Sequence, residues 1–503
     1  EIASCLVGSE MCIRDRLIHG ANRGLMPASA LEALYEHFCA SCQYGSLTVG
    51  GLFGQYQRWM GLNNADVAWL EAVGRAFAAA GGSGSVILAD VALEAGLRAA
   101  GVSVTRADIQ VSSPTLSGID PATGYIEDPV NSATGNFVLP ETDVVFGGPS
   151  QGLAISRMYN STLAAAYDEP EACGVLGPGW STILDQRLIV TDEQARWVRD
   201  DGREIVFPLT GRNGASGSPT AEGCHTVEGP WRAAQDNVWI SRGDAADLAG
   251  VQGATVAGPV WIVADNTGSR LIFTAEGAWV GSTSGAGDGI WIERRDGMAI
   301  SMHSEWGRSV DLFYAQGRLA KAVASDGRSV SYAYDSHGRL VEVTRPDGVH
   351  RYQWDGWLLS QVIDASGVAQ CVNTFDEAGR IRTQRDATGH LTRFTYLPGG
   401  VTVADDGQGH HCNTWISDAR GRTVGIIDAD GQRTSMLYDR YGNLVSATDR
   451  AGKVIRHTYD GRGHCARTTL PTGGVIDYGW DEADRLTTIS SGGTLRVLSL
   501  IHI

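Results

Sequence analysis

The hydrophobic period of the chain changes at about residue 105. Between Pro27 and Val104, apolar residues recur at steps of three and four. Leu31, Leu34, Tyr35 and Phe38 form one such face, and Val67, Leu70, Val73, Gly74 and Phe77 another. This is the period of amphipathic helices. Asn63 or Asn64 can cap the second run, Gly81-Gly82 can end it, and a short third helix is predicted over 90–101. The helical region is thus read as 17–104. Residues 105–125, rich in Ser, Thr, Pro and Gly, read as a linker. Beyond it the period becomes two: Asn136 to Leu139, Leu153 to Ser156 and Arg187 to Val190 are strand-like runs between turn formers, and no long helix is predicted.

From Tyr314 onward one position recurs: Tyr314, Tyr334, Trp354, Phe375, Tyr396, Ser417, Tyr438, Tyr459 and Trp480, at intervals of 20, 20 and then 21 residues. An acidic residue follows directly at Asp335, Asp355, Asp376, Asp418, Asp439, Asp460 and Asp481. Glycine comes three positions later at Gly338, Gly379, Gly421, Gly442 and Gly463. A second turn falls midway, as in Asp326-Gly327, Asp428 to Gly431 and Asp449 to Gly452. Each unit therefore holds two strands and two turns, in which Asp caps the backbone and Gly takes a positive φ. The aromatic is expected to face inward and pack on its counterparts as a ladder. Nine registers predict about 18 strands, and a sheet of more than about 10 must coil.

Three positions depart from the pattern: Ser417 lacks the ring, Leu397 replaces the acid, and the turn after Trp354 is shortened to Gly356. Within the pattern, Gly442→Val should cost about 1–3 kcal/mol of strain, while Asn443→Ser beside it is expected to be nearly silent. The closing segment Asp484 to Ile489 is expected to form an unpaired sheet edge that recruits other chains.

Three ordered motifs precede the repeats: DPVNSATGNF from Asp128 to Phe137, RMYNS from Arg157 to Ser161, and GPGW from Gly177 to Trp180. Asp128, Pro129, Asn131, Gly135 and Asn136 supply turn chemistry opening a strand. Gly177 and Gly179 frame Trp180, which with Tyr159 is read as an anchor for a sheet face. In order and spacing these motifs resemble the domain, of DUF6531 type, that precedes the repeats in Rhs proteins, and the later array resembles the YD repeat. The chain thus resembles the Rhs/YD-repeat polymorphic toxin family. The resemblance implies a mainly β fold, a hairpin array coiling into a hollow cocoon-like shell behind a small helical N-terminal region. It assigns 126–310 to the pre-repeat β domain and a β-rich connection, and 311–496 to the repeats.

The function implied is that of a structural shell, secreted or at the cell surface, that encloses and delivers a C-terminal toxin domain in interbacterial competition. A wall-associated YD protein binding carbohydrate or a neighbouring cell is the alternative. Expected partners are the chain's own C-terminal toxin domain and a secretion machinery. The helical region resembles type VII substrate leaders, with Trp59-Met60-Gly61 fitting W-x-G; a PAAR-like domain further upstream would instead imply type VI.

Composition agrees with a turn-rich β protein: 65 Gly against 15 Pro, with 14 Trp and 15 Tyr. A net charge of −17 disfavours nucleic acid and anionic membrane as partners, and no apolar run is long enough to span a bilayer. Candidate chemistry dissolves on inspection. Cys39 and Cys42 after His37 lack a second ligand pair, and Gly81 to Gly84 follows a helix rather than a strand. Asp428 to Gly431 sits in turn register and lacks the ligands of a calcium loop, and His410-His411 reads as a solvated loop pair. No enzyme activity, cofactor or metal is expected. Finally, Met11 to Arg16 and Leu498 to Ile503 back-translate to reverse-complementary DNA. Residues 1–16 and 497–503 are therefore read as sequencing-adapter translation, with the gene expected to continue in both directions.

Overall fold

The computed structural model describes residues 117–497, apart from 149–151, 167–172, 210–228, 245–255, 257, 285–288, 398, 408–411 and 493. The expectations for the helical region 17–104, the Trp59-Met60-Gly61 tripeptide, Cys39 and Cys42, His410-His411, and residues 1–16 and 498–503 lie outside the described residues.

The described residues open with small sheets. β1 (Tyr125–Ile126) pairs with β2 (Val130–Asn131). β3 (Val138–Val145), β4 (Ala154–Asn160) and β5 (Trp180–Thr182) form a second sheet, and β6 (Arg187–Val190), β7 (Gln194–Val198) and β8 (Glu204–Pro208) a third. The one α-helix among the described residues is short, α1 (Ser161–Ala165). From β9 (Trp231–Arg232) to β34 (Thr494–Val497) the strands form one antiparallel sheet in sequence order, closed as a barrel.

Two expectations change here. The connection before Tyr314 is not separate from the repeats, because β10 (Val238–Asp244) to β15 (Met298–Ser304) are hairpins of the same sheet. The expected open edge is also absent: Thr488 to Ser491 pair with Thr494 to Val497, and the barrel closes on β9. A β-bulge in nearly every repeat increases twist and bends the strands, which lets so long a sheet curl back.

The repeat itself spans β16 (Ser309–Ala315) to β33 (Leu486–Ser491), the eighteen strands that nine registers require. Each recurring residue lies at a register shift, in the last or next-to-last place of its strand, for instance between Ala333 and Tyr334, Thr374 and Phe375, and Leu437 and Tyr438. Tyr396 is the exception, since the Leu397 repeat pairs straight through to a Gly399-Gly400 turn. After Trp354 the shortened turn closes with Asp355 opposite Leu358.

The aromatic ladder is built differently from the expected ring stacking. Among the described residues no ring contact joins successive repeat positions; the rungs are hydrogen bonds. Tyr334, Tyr396 and Tyr459 donate from their hydroxyls to the carbonyls of Leu319, Ile381 and Leu444, 15 residues back, at 2.7, 2.7 and 2.8 Å. The Trp354 and Trp480 indole N–H groups donate likewise to Leu340 and Cys465. A polar tip satisfied on the backbone suits a half-buried ring better than stacking across a twisted sheet.

The turns repeat one geometry. In the first, the Asp335 carboxylate accepts from the His337 and Arg339 N–H groups at 2.9 and 3.0 Å and from the Arg339 guanidinium at 2.7 Å. Asp376, Asp439, Asp460 and Asp481 accept at the same offsets. Gly338, Gly379, Gly442 and Gly463 follow with φ of 75, 75, 86 and 83°, the left-handed region that a side chain resists. In the fifth turn Asp484 takes that place at φ 62°, held by Arg462 and His464.

Candidate functional site

The inward face of the barrel is half of a seam. Alternation in β18 (Ser329–Tyr334) buries Val330 and Tyr332 and exposes Ser331 and Ala333. The buried side joins one hydrophobic core with Phe137, Tyr159, Trp180 and Leu188 of the small sheets. The pre-repeat domain is thus held against the inner face of its own repeat sheet.

Backbone groups make the first attachment. A bulge leaves a ladder donor without its usual partner, and four such donors face the pre-repeat domain. The N–H groups of Leu319, Ile381 and Thr423 donate to the carbonyls of Val175, Gly135 and Ala122 at 2.9, 3.1 and 2.9 Å, and that of Leu359 to the Tyr159 hydroxyl at 2.9 Å. All four occupy the same repeat position, the residue paired with the recurring one across the bulge: Tyr314, Phe375, Ser417 and Trp354 respectively. The Ala122 bond also corrects the linker reading. From Ser117 on, that stretch is docked, with Gly118 bonded to Asn160, Thr123 to Gly421 and Asp120 to Arg203.

The motif residues build the other half of the seam. Asn131 accepts from the Ala133 and Thr134 N–H groups at 2.9 and 3.1 Å, shaping the turn that presents the Gly135 carbonyl. The Asn136 amide donates to Asn160 at 3.0 Å, and Asn160 in turn donates to the Asp201 carbonyl. Pro129 accepts at its carbonyl from Val138. The Asp128 backbone is gripped at both ends by the Gln384 amide, 3.1 Å to its N–H and 2.9 Å to its carbonyl, and Gln384 also bonds Asn373. Gly177, φ 92°, lies against the Gly338 carbonyl, and a side chain at Gly179, φ 75°, would strike the Tyr159 ring. Trp180 meets Tyr159 and Tyr352 edge-on, with ring centroids 5.4 and 5.5 Å apart.

At the centre lies a charge network that sequence reasoning did not single out. Arg157 and Asp143 are fully buried and paired at 2.8 Å. The Arg157 guanidinium lies over Trp180, 4.5 Å from the ring centroid, and donates to the Tyr352 hydroxyl at 2.6 Å. Tyr332 donates to Asp143 at 2.9 Å, and Arg345 reaches Glu141 at 2.8 Å. Burial works against the Arg157 charge, but Tyr352 and Asp143 outweigh it and keep the guanidinium protonated. Burial also pushes the Tyr332 hydroxyl well above its usual range, so it stays a neutral donor. Arg157 stands inside the quoted RMYNS motif; what concealed its role was that Asp143, Tyr332 and Tyr352 carry no mark of being its partners.

The carboxylates of the turns are committed to their own backbones. Hydrogen bonds from the Arg485 N–H and guanidinium hold Asp481 below the usual carboxylate range. Asp428, read as a turn, accepts from Asp430 and Gln432 in the same way. Among the described residues no group of three or more His, Cys, Asp or Glu side chains could hold a metal, and no helix is long and apolar enough to cross a membrane.

A closed array of bulged hairpins with a motif-bearing domain sewn to its inner face defines a class of repeat-sheet protein. This chain belongs to the Rhs/YD-repeat family: the profile described as Domain of unknown function (DUF6531) matches residues 127–207, and RHS Repeat matches 313–350, 418–454 and 459–495. Over 323 residues the chain is 24% identical to tRNA nuclease WapA of Bacillus subtilis (strain 168), covering 62% of this chain and 13% of that protein. Similar solved structures include the Photorhabdus luminescens Tc holotoxin pore, at 12% identity and TM-score 0.29, covering 62% of this chain and 21% of that one. The TcdB2-TccC3-Cdc42 crystal structure matches at 12% identity and TM-score 0.30, covering 70% and 21%. The chain therefore spans a minor part of the length of these relatives.

Proposed function

We propose that this segment is the wall of a delivery shell for a toxin domain encoded further along the same protein, acting outside the producing cell. The wall shields and carries. The observation that carries it is the seam: the pre-repeat domain is fastened inside the barrel by four backbone donors and a buried Arg157–Asp143 pair. Such a domain works as an internal brace that holds a long curled sheet around an enclosed volume. The kinship with a protein named as a tRNA nuclease supports a toxin as the cargo, and the Asp-rich turns give no competing acid–base site because their carboxylates are occupied. Secretion or surface display follows from that role.

Limited proteolysis of the intact gene product, followed by mass spectrometry, tests the reading. Peptides of the region after the repeats should survive protease concentrations that digest the same region expressed alone. Arg157→Met with Asp143→Ala, which loosens the brace, should expose them. Equal digestion in both contexts would overturn the enclosure, and binding of the intact barrel to cell-wall glycan without any enclosed domain would favour the adhesive alternative.

A further inference from the structure

The inner face of the repeat sheet can be compared rung by rung, because each recurring strand pairs the same position with its neighbour. The facing pairs are Tyr332 with Val343, Tyr352 with Val362, Asn373 with Gln384, Phe394 with Ala404, Trp415 with Ile426, Met436 with Ala447, His457 with Thr468, and Tyr478 with Ile489. All are apolar or aromatic except two. The Asn373–Gln384 rung has a client, the Asp128 backbone. The bonds described for the His457–Thr468 rung stay within a small cluster instead. The His457 imidazole Nδ1 lies 2.9 Å from the Thr468 hydroxyl.

A third departure lies beside that rung in the same strand pair, where Cys465 faces Tyr459. The residue paired with the recurring position is Leu319, Leu340, Leu359, Ile381, Leu444 and Leu486 in six other repeats and Thr423 opposite Ser417, and here it is Cys465. Its Sγ lies 3.6 Å from the Thr468 hydroxyl and 4.0 Å from His457 Nδ1, with the Arg467 carbonyl, also 3.6 Å away, as a competing acceptor. With the imidazole in the tautomer that leaves Nδ1 unprotonated, the Thr468 hydroxyl donates to it and accepts from the thiol. A proton path thus runs from sulfur through one hydroxyl to a base.

We propose that Cys465, with His457 as its base and Thr468 as the relay between them, is a thiol-exchange site on the inner wall whose substrate class is a small disulfide. The thiol proton passes through the Thr468 hydroxyl to His457 Nδ1. The thiolate attacks one sulfur of RS–SR, a new Cys465–S–SR bond forms as the S–S bond breaks, and the leaving RS⁻ takes the proton from the imidazolium as RSH. No further oxidant is needed, since the incoming disulfide is reduced to one thiol and one mixed disulfide. A thiol beside a base is activated in this manner generally. The other cysteines offer a contrast inside the same molecule: burial pushes the Cys371 thiol up to about 12 and raises Cys173 as well.

The repeats supply variants that fit the fold: His457→Tyr copies Tyr478, and Thr468→Ala copies Ala447. The test treats the full chain with dipyridyl disulfide near neutral pH and follows each cysteine-containing peptide by mass spectrometry. Cys465 should be modified roughly tenfold or more faster than Cys173 or Cys371. His457→Tyr should remove that advantage without shifting the melting temperature, and Thr468→Ala should reduce it. In strongly alkaline buffer, where a thiol ionises unaided, wild type and His457→Tyr should converge. The proposal falls if Cys465 reacts no faster than Cys173, or if His457→Tyr leaves its neutral-pH rate unchanged; an unchanged rate in Thr468→Ala would overturn the relay.

Discussion

The Leu359 backbone N–H donates to the Tyr159 hydroxyl at 2.9 Å, joining residues 200 positions apart in a buried bond. Tyr159 belongs to the pre-repeat domain and Leu359 to the repeat sheet, next to the bulge at Trp354. The bulge that lets the sheet curl thereby also provides the donor that fastens the domain inside it. Tyr159→Phe removes the acceptor but keeps the ring against Trp180 and Trp354. Leaving a buried donor unpaired should cost about 1–3 kcal/mol. A melting temperature equal to wild type would mean that the bond is replaceable.

The Arg157–Asp143 pair should behave as one unit. Arg157→Met alone strands a buried carboxylate and should cost about 3–5 kcal/mol. With Asp143→Ala added, the double variant should lose clearly less than the sum of the two single losses. A double-mutant cycle by chemical denaturation measures the coupling, and strict additivity would show that the two charges are independently solvated.

Gly442 and Asn443 both matter, contrary to the expectation of a silent neighbour. Gly442 sits at φ 86°, so Gly442→Val should destabilise by about 1–3 kcal/mol. Asn443 bonds Asp439 at 2.8 Å and accepts from the Asn237 amide at 2.6 Å, across to the start of the barrel. Asn443→Ser should therefore lower the melting temperature as well, by about half as much, since a net hydrogen bond is worth about 1 kcal/mol. An unaltered melt for Asn443→Ser would show that the Asn237 contact is dispensable.

Asp185 gives a pH signature. Burial pushes its carboxyl up to about 6, against the Val175 and Thr182 N–H groups it accepts from. A folded value above the unfolded one of about 3.9 favours the protonated native state, so this group stabilises the fold at pH 4. That contribution is lost as pH rises through about 6. The span is at most about 3 kcal/mol, reduced by the solvent that still reaches the group. Asp185→Asn cannot titrate. The stability of wild type relative to this variant should fall between pH 4 and 7 and then level, and a difference that stays flat with pH would refute the assignment.

The repeat and its turns were legible in the sequence because they are local. Asp and Gly at fixed offsets dictate a turn whatever surrounds it, and Asp376–Gly379 or Asp460–Gly463 adopt the same geometry in different packing. Alternation likewise announced the strands, and RMYNS and GPGW announced that Tyr159 and Trp180 matter. What the sequence by itself determined, then, was the hairpin period, the strand number and the family. Tertiary structure alone decided the rest. Closure of the barrel depends on twist summed over many bulges, and docking of Ser117 to Gly124 depends on where Gly421 and Thr423 arrive in space. The burial of Arg157 needs Asp143, Tyr332 and Tyr352, which converge from up to 195 residues away. A period of 21 residues fixes what each unit becomes, whereas bonds of such long range form only once the whole sheet has curled.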